Sequence, residues 1–380
     1  MKKQLAIVGI IVFIITAAWL SGCAQNGEGR RTISSLSLSA DGMKLLSVTN
    51  VQPSHIEKNK TLGHGPDLQI WNTSSGGILW GEYPSYVAKN IVTGLDAFFS
   101  PDGKYFVKDF RETPVNIYNV SSGELAANIS GYYIDWFPNN RIITMGDQEF
   151  IIWNATTFKE IRTFSLGKMP YSYYPASLSP DGNKLAFYSS DLNSVVTVDI
   201  SDENSQFLWK TNLSEEGRIS TPNDFEWSIN NTTIGFFCYQ YSNKTNYLFI
   251  LDATNGTILN KKEADGFLSP DCKKYASYDK NKDFLEIFNL DGLEKTIKMN
   301  LQNVNGIRVA AWSYDMNTIA VSIQDGIIQI INVSSGEVTK TLETRVYNLH
   351  YSIPSPSIAY ILVVIVTSVL FWKRKKIISS

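Results

Sequence analysis

The chain has 380 residues, of which 43% are hydrophobic, 18% charged and 12% aromatic. A charged fraction this far below the soluble average of roughly 25% excludes a disordered or coiled-coil protein. The balance of 34 basic against 36 acidic residues, net charge −2, lacks the basic excess that nucleic-acid binding needs, and three histidines, His55, His64 and His350, leave little material for His-based metal sites or triads.

The chain opens on Met1-Lys2-Lys3, followed by an uncharged run from Leu5 to Leu20 and then Ser21-Gly22-Cys23. A basic start, an apolar stretch and small residues at the cut form the plan of an export signal. Residues 1–22 are therefore predicted to be a signal peptide. Leu20-Ser21-Gly22-Cys23 resembles a bacterial-type lipobox, which marks Cys23 for lipidation. A linker, 23–31, follows.

From there two motifs alternate along the chain. The first is an apolar pair followed by Ser-Pro-Asp-Gly-Lys or a decayed form. Phe99-Ser100-Pro101-Asp102-Gly103-Lys104 and Leu178-Ser179-Pro180-Asp181-Gly182 are its clearest copies. Its Asp or Asn falls at 41, 102, 139, 181, 230, 271 and 315, a spacing of about 46 residues. The second is an apolar strand ending in Asn or Asp before a Ser-Gly turn, as in Ile70-Trp71-Asn72-Thr73-Ser74-Ser75-Gly76 and Ile330-Ile331-Asn332-Val333-Ser334-Ser335-Gly336. It trails the first motif at a near-constant distance, so the two form one unit repeated seven times. Asp-Gly supplies the positive φ that tight turns need, and Pro before it ends the preceding strand. The segments between are β-branched and aromatic, and no sustained 3.6-residue period interrupts them. Units of four short strands over 40 to 45 residues are the signature of propeller blades. The expected fold is all-β, a seven-bladed β-propeller of four-stranded blades over residues 32–345.

The units resemble divergent WD-repeat or YVTN-type propeller blades, and the Ser-Pro-Asp-Gly-Lys hairpin is similar to TolB-type blades. Trp71-Asn72 and Trp153-Asn154 stand where the WD family has Trp-Asp. No Gly-His dipeptide opens the units, so the resemblance does not extend to that family's internal hydrogen-bond tetrad. Gly76-Gly77-Ile78-Leu79-Trp80 and the segment from Leu251 to Leu259 also resemble quinoprotein-type blades.

Few residues along the ring suggest chemistry. The first unit carries an insertion, Asn50 to Pro66, which holds His55 and His64 without a third metal ligand nearby. Asp279-Lys280-Asn281-Lys282-Asp283 has the alternating oxygens of a calcium loop but lacks its central Gly and final Glu. No metal site is expected. Cys238 and Cys272 sit in neighbouring units, and nothing in their spacing requires a bridge. No nucleophile elbow, phosphate loop, His-Glu-x-x-His or Cys-x-x-Cys occurs, so no catalytic residue is expected and no cofactor is implied. Eleven Asn-x-Ser/Thr sequons occur. Asn72, Asn119, Asn154 and Asn332 are explained by the repeated turn. Asn59, Asn128, Asn212 and Asn243 are the expected glycosylation acceptors.

The chain closes on a juxtamembrane segment, 346–357, and an uncharged run from Ile358 to Trp372. Counted from Ile353 the apolar stretch spans about 30 Å as a helix, which matches a bilayer core. Residues 358–372 are therefore expected to form a transmembrane helix. Lys373-Arg374-Lys375-Lys376 keeps the 373–380 tail cytoplasmic and the propeller outside the cell membrane. The expected function is a membrane-anchored, extracytoplasmic scaffold that binds a protein or glycan partner and no nucleic acid. A quinoprotein-type enzyme, or a subunit of one, with a cofactor in the propeller channel is the alternative.

Overall fold

The computed structural model describes residues 30–344 except 53–61, 64–66, 83–86, 89–95, 110–113, 138–139, 147–148, 166–174, 191, 202–205, 280–283, 291–294, 301–306 and 324–325. Seven antiparallel four-stranded sheets follow one another in the chain, each built from consecutive strands. They are blade 1 (30–82), blade 2 (96–129), blade 3 (132–164), blade 4 (176–212), blade 5 (223–263), blade 6 (267–300) and blade 7 (310–343). The all-β, seven-bladed expectation holds. The strands begin at Arg30 and end at Glu343. The export signal, Cys23 and the segment from 345 onward lie outside the described residues. Among the described residues no helix is long and apolar enough to cross a membrane.

Six of the seven blades share one device at their first turn. In blade 1 the Ser39 hydroxyl donates to Asp41 Oδ1 at 2.6 Å, and the Lys44 amide donates back to Ser39 Oγ at 2.9 Å. The Ser39 hydroxyl holds the Asp41 carboxyl below its usual range. The same latch joins Ser100 to Asp102, Ser179 to Asp181, Ser228 to Asn230, Ser269 to Asp271 and Ser313 to Asp315, at 2.5–2.7 Å. Blade 3 has Phe137 in place of the Ser. The residue after the Asp or Asn is left-handed, which Gly42 accommodates at φ 66°. The second turn is held by its Asn: in blade 1 Asn72 Oδ1 accepts from the amides of Ser74 and Ser75.

The two turns of a blade are also bonded to each other. Thr73 N donates to Met43 O at 3.0 Å, and one equivalent bond of 2.7–2.9 Å occurs in each of the other six blades, from Val120, Ala155, Ile200, Ala253, Leu290 and Val333. Both turns therefore share one face of the ring, the turn face. The other ends of the strands form the opposite face, called the loop face. Strand direction then sets the chain ends. Arg30 enters the inner strand of blade 1 from the loop face, and Glu343 leaves the outer strand of blade 7 toward the same face. Within the insertion of blade 1, Leu62–Gly63 pairs with Val87–Ala88 of the link to blade 2.

The core is not inside the blades but between them. Seven clusters of buried apolar side chains correspond to the seven junctions. Period-two alternation sends one set of each strand's side chains to either neighbour. In blade 1, Leu46, Val48 and Ile70 meet Ala97 and Phe106 of blade 2, whereas Leu45 and Trp71 face Ile328, Ile330 and Leu342 of blade 7. That last cluster closes the ring. Among the described residues no blade is shared between the chain ends, and the closing junction is held by side-chain packing. Trp71 and Trp153 each lie at a junction, and their indole nitrogens donate to Ser47 Oγ at 2.9 Å and Thr144 Oγ1 at 2.8 Å. Replacing either Trp with Ala is expected to cost about 3–5 kcal/mol. Chemical denaturation of the two variants checks this, and unchanged midpoints in both refute the placement of these rings in the core.

Candidate functional site

The inner strands enclose a central channel of about 440 Å³, lined from blades 1, 2, 3, 5, 6 and 7. Side chains two and four residues before the latch serine point the same way along a strand, and here that way is the channel. Those positions, counted in blade 3 from Phe137, hold Ser37 and Ser35 in blade 1, Asp96 in blade 2, Asp135 in blade 3, and Glu226 and Asp224 in blade 5, whereas Ser177 of blade 4 is buried and does not line the cavity. Four of the residues lining the cavity are carboxylates, Asp96, Asp135, Asp224 and Glu226, and no Lys, Arg or His lines it among the described residues.

Part of this oxygen content has a structural job. The inner strand is an edge whose amides have no further strand to bond. Side chains of one blade supply acceptors to the next. Ala97 N and Phe99 N donate to Ser35 Oγ and Ser37 Oγ at 3.4 and 3.2 Å. Leu178 N donates to Asp135 Oδ2 at 3.3 Å, and Trp227 N to Ser177 Oγ at 3.0 Å. The Leu268 backbone bonds Asp224 in the same manner. Glu226 is different: its carboxyl has no hydrogen-bond partner among the described residues.

Electrostatics sets Glu226 apart as well. Its side chain is open to the channel, and incomplete solvation within the ring pushes its carboxyl up to about 8, helped by the charges of Asp135 and Asp224. Enclosure raises Asp135 to about 6 against the pull of the Trp136 and Leu178 amides. It raises Asp224 to about 6 against the Leu268 amide, with Asp265 adding to the rise. The Tyr314 phenol is pushed up by enclosure and by Asp135 and Glu226. The channel therefore gathers carboxyls that are harder to ionise than usual and, among the described residues, no basic side chain, an arrangement that attracts cations and repels anions.

The residues singled out in the sequence fall elsewhere. Cys238 lies at the blade 4–5 junction and Cys272 at the blade 5–6 junction, both buried and unbridged. Burial pushes the Cys238 thiol up to about 12 and raises that of Cys272 too, so neither is a ready nucleophile. Asn128, Asn212 and Asn243 are all exposed. Asn128 bonds the side chain of Asn116. The Asn243 amide nitrogen donates to Gln240 Oε1 at 3.0 Å and to the Tyr247 hydroxyl at 2.8 Å, whereas Asn212 uses only its oxygen, toward Ser214 N. Asn59, His55, His64 and residues 280–283 of the calcium-like loop lie outside the described residues. Among the described residues no three His, Cys, Asp or Glu side chains are placed to hold a metal ion. The channel carboxylates themselves were not picked out from sequence. Their signal was present as a fixed offset before the aligned turn Asp or Asn at 102, 139 and 230.

No family model matches the chain, and no curated protein matches it. Among solved structures 1475 chains match. One is a chain of the Kuenenia stuttgartiensis hydrazine synthase, 12% identical, with 80% of this chain and 96% of that chain covered at a TM-score of 0.55. Identity this low carries the propeller architecture and nothing of the activity.

The channel makes a pH prediction. Glu226 has a folded value above its ordinary 4.5, so its ionisation opposes folding. That penalty is absent below about pH 4.5, grows as pH rises and is complete above about pH 8. Glu226→Gln is expected to unfold at higher denaturant than wild type near pH 9 and with wild type near pH 4. Denaturation at the two pH values checks this. An equal gain at both shows that another group is responsible.

Proposed function

We propose that the chain is an exported, membrane-anchored propeller that binds an external protein or glycan partner. A lipid at Cys23 and a helix over 358–372 hold it to the cell membrane, with the 373–380 tail in the cytoplasm. The observation that carries this reading is the polarity of the ring. Both chain ends leave the loop face, and the tethers predicted from sequence are short. Residues 24–31 reach at most about 26–29 Å, and about a dozen residues separate the last strand from the apolar run. Tethers of that length turn the loop face toward the bilayer and leave the turn face, with one mouth of the channel, open to a partner. The latched turns make that face stiff, which suits recognition because little ordering entropy is lost on binding. The acidic channel favours a partner that brings a cationic or hydrogen-bonding group to its mouth.

The alternative, a quinoprotein-type enzyme or enzyme subunit, needs a cofactor in the channel. The lining does not fit an anionic cofactor, which would meet carboxylates and no basic side chain among the described residues. No step is derived through such a group.

Two experiments test the reading. Truncation after Ser352 is expected to leave the protein in the membrane fraction, and adding Cys23→Ala to release it. A truncated protein with intact Cys23 that is wholly soluble refutes lipidation. A photo-crosslinking residue at Met43, 64% exposed on the turn face, is expected to trap the partner on whole cells, whereas one at Leu192, 50% exposed on the loop face, is not. Adducts from Leu192 alone reverse the assignment of faces.

A further inference from the structure

Blades 3 and 5 are the two that carry an Asn directly after the aligned turn Asn, and they use it differently. On the turn face the first turn of each blade stands beside the first turn of the next. Between blades 4 and 5, Asn231 Nδ2 donates to Asp181 Oδ2 at 2.8 Å and ties the two turns together. Blade 3 places Asn140 at the equivalent position, with a φ of 67° against 63° for Asn231, and blade 2 places Asp102 opposite. Here the bond is not made. Asn140 Oδ1 accepts from Thr156 Oγ1 at 2.9 Å, and Asp102 Oδ2 pairs with Lys104 at 3.1 Å. A cleft of about 190 Å³ opens between them.

A second departure occurs at the same junction. The second turn ends on a left-handed glycine in blades 1, 2, 5 and 7, namely Gly76, Gly123, Gly256 and Gly336, at φ 71–75°. Blade 3 has Phe158 there, at φ 53°. A bulky side chain in this region is strained, and such strain persists where the surroundings hold it, often at ligand sites. The Phe158 ring meets Tyr105 edge-on at 5.3 Å and Trp136 edge-on at 6.4 Å, while Tyr105 and Trp136 stack at 6.0 Å. Tyr105 and Trp136 line the cleft, and Trp136 lines the channel as well.

Aromatic rings beside a carboxylate, an ammonium, an amide and a hydroxyl are the chemistry that recognises a sugar ring. The apolar C–H face of a sugar lies on an aromatic, and its hydroxyls need both donors and acceptors. Asp102 accepts, Lys104 donates, and Asn140 and Thr156 do both. A metal ion is a poorer match, because Lys104 already neutralises Asp102. The volume is below the roughly 300–1,000 Å³ of drug-sized pockets, which suits one ring and not a chain. We propose that the cleft between blades 2 and 3 is a saccharide subsite for a single hexose or N-acetylhexosamine unit. This deepens the binding reading above and rests on it, with the glycan as the partner.

The test titrates the full chain in detergent with free glucose, galactose, mannose, N-acetylglucosamine and N-acetylgalactosamine, read by tryptophan fluorescence. At least one sugar is expected to give a saturable change, and Trp136→Phe to remove most of it. Thr156→Ala frees Asn140 to reach Asp102, as Asn231 reaches Asp181, and is expected to weaken binding about tenfold or more with an unchanged unfolding midpoint. Asn140→Ala is expected to weaken it similarly. No saturable change with any sugar, or wild-type affinity in both Thr156→Ala and Asn140→Ala, overturns the subsite. Silence toward sugars with a retained Met43 adduct overturns the subsite alone, whereas sugar binding without that adduct upholds the subsite and overturns only the outward-facing assignment.

Discussion

The ring depends on one small hydrogen bond repeated around it. The serine hydroxyl that grips the turn Asp or Asn in six blades also takes the amide of the second strand, as Ser39 does with Asp41 and Lys44. It thereby fixes where the inner strand stops and the next begins. Since side chains alternate with period two, that stop also decides which residues face which neighbour. A slip of one residue in blade 1 would turn Leu45 and Trp71 away from blade 7 and Leu46 and Ile70 away from blade 2. The latch contributes little as a single bond, about 1 kcal/mol, but it sets the register on which each apolar junction relies.

Those junctions explain why the blades do not need identical sequences. A blade has no core of its own, and each face is completed by its neighbour. Trp80 of blade 1 lies against Gly123 of blade 2, and Trp209 of blade 4 against Gly256 of blade 5, so a glycine chosen for its φ also makes room for an indole. At closure Leu342 and Lys340 of blade 7 come against Gly76 of blade 1 in the same way. The last junction thus packs like the rest, and among the described residues no strand is exchanged across it. A ring closed by packing needs both of its terminal blades to be complete, and the unbroken strand order of blades 1 and 7 meets that need.

The architecture was legible because its signals are local and repeated. Asp-Gly turns, alternating strands and a constant offset between two motifs act within a few residues, and seven copies suppress chance. The tryptophans at 71 and 153 were legible for the same reason. Asp135 and Glu226 were not, although they stand at a fixed distance before the aligned turn Asn. Their meaning comes from meeting in one channel, where each raises the other's cost of ionising, a long-range relation that no single repeat contains. Asn140 and Phe158 carried a weaker signal, as residues that replace glycine in an aligned column. Decay of blade 3's first motif read as simple divergence, when it coincides with an opened cleft and a cluster of three rings. Cys272 shows that such a replacement need not mean a site. It takes the same left-handed place in blade 6 at φ 53° and lies buried in an apolar junction.

The useful division among the polar residues is between those that folding requires and those that it does not. An inner edge strand needs acceptors, and Ser35, Ser37, Ser177, Asp135 and Asp224 provide them. Serine would serve at every one of these positions without adding charge. Asp135 and Asp224 do the same job at the cost of bringing carboxylates into an enclosed channel where solvation is poor. Glu226 adds a further carboxyl and, among the described residues, bonds no backbone group, so stitching the blades cannot account for it. Blade 3 shows the same surplus, since glycine at 158 would relieve the turn and an Asp102–Asn140 bond would seal the surface. Each departs from what a stable ring alone would select, and Trp136, which lines both the channel and the cleft, places the two departures side by side on one ring. Stability favours the repeat, so the positions where the repeat is abandoned at a structural cost are where a ligand has the strongest claim.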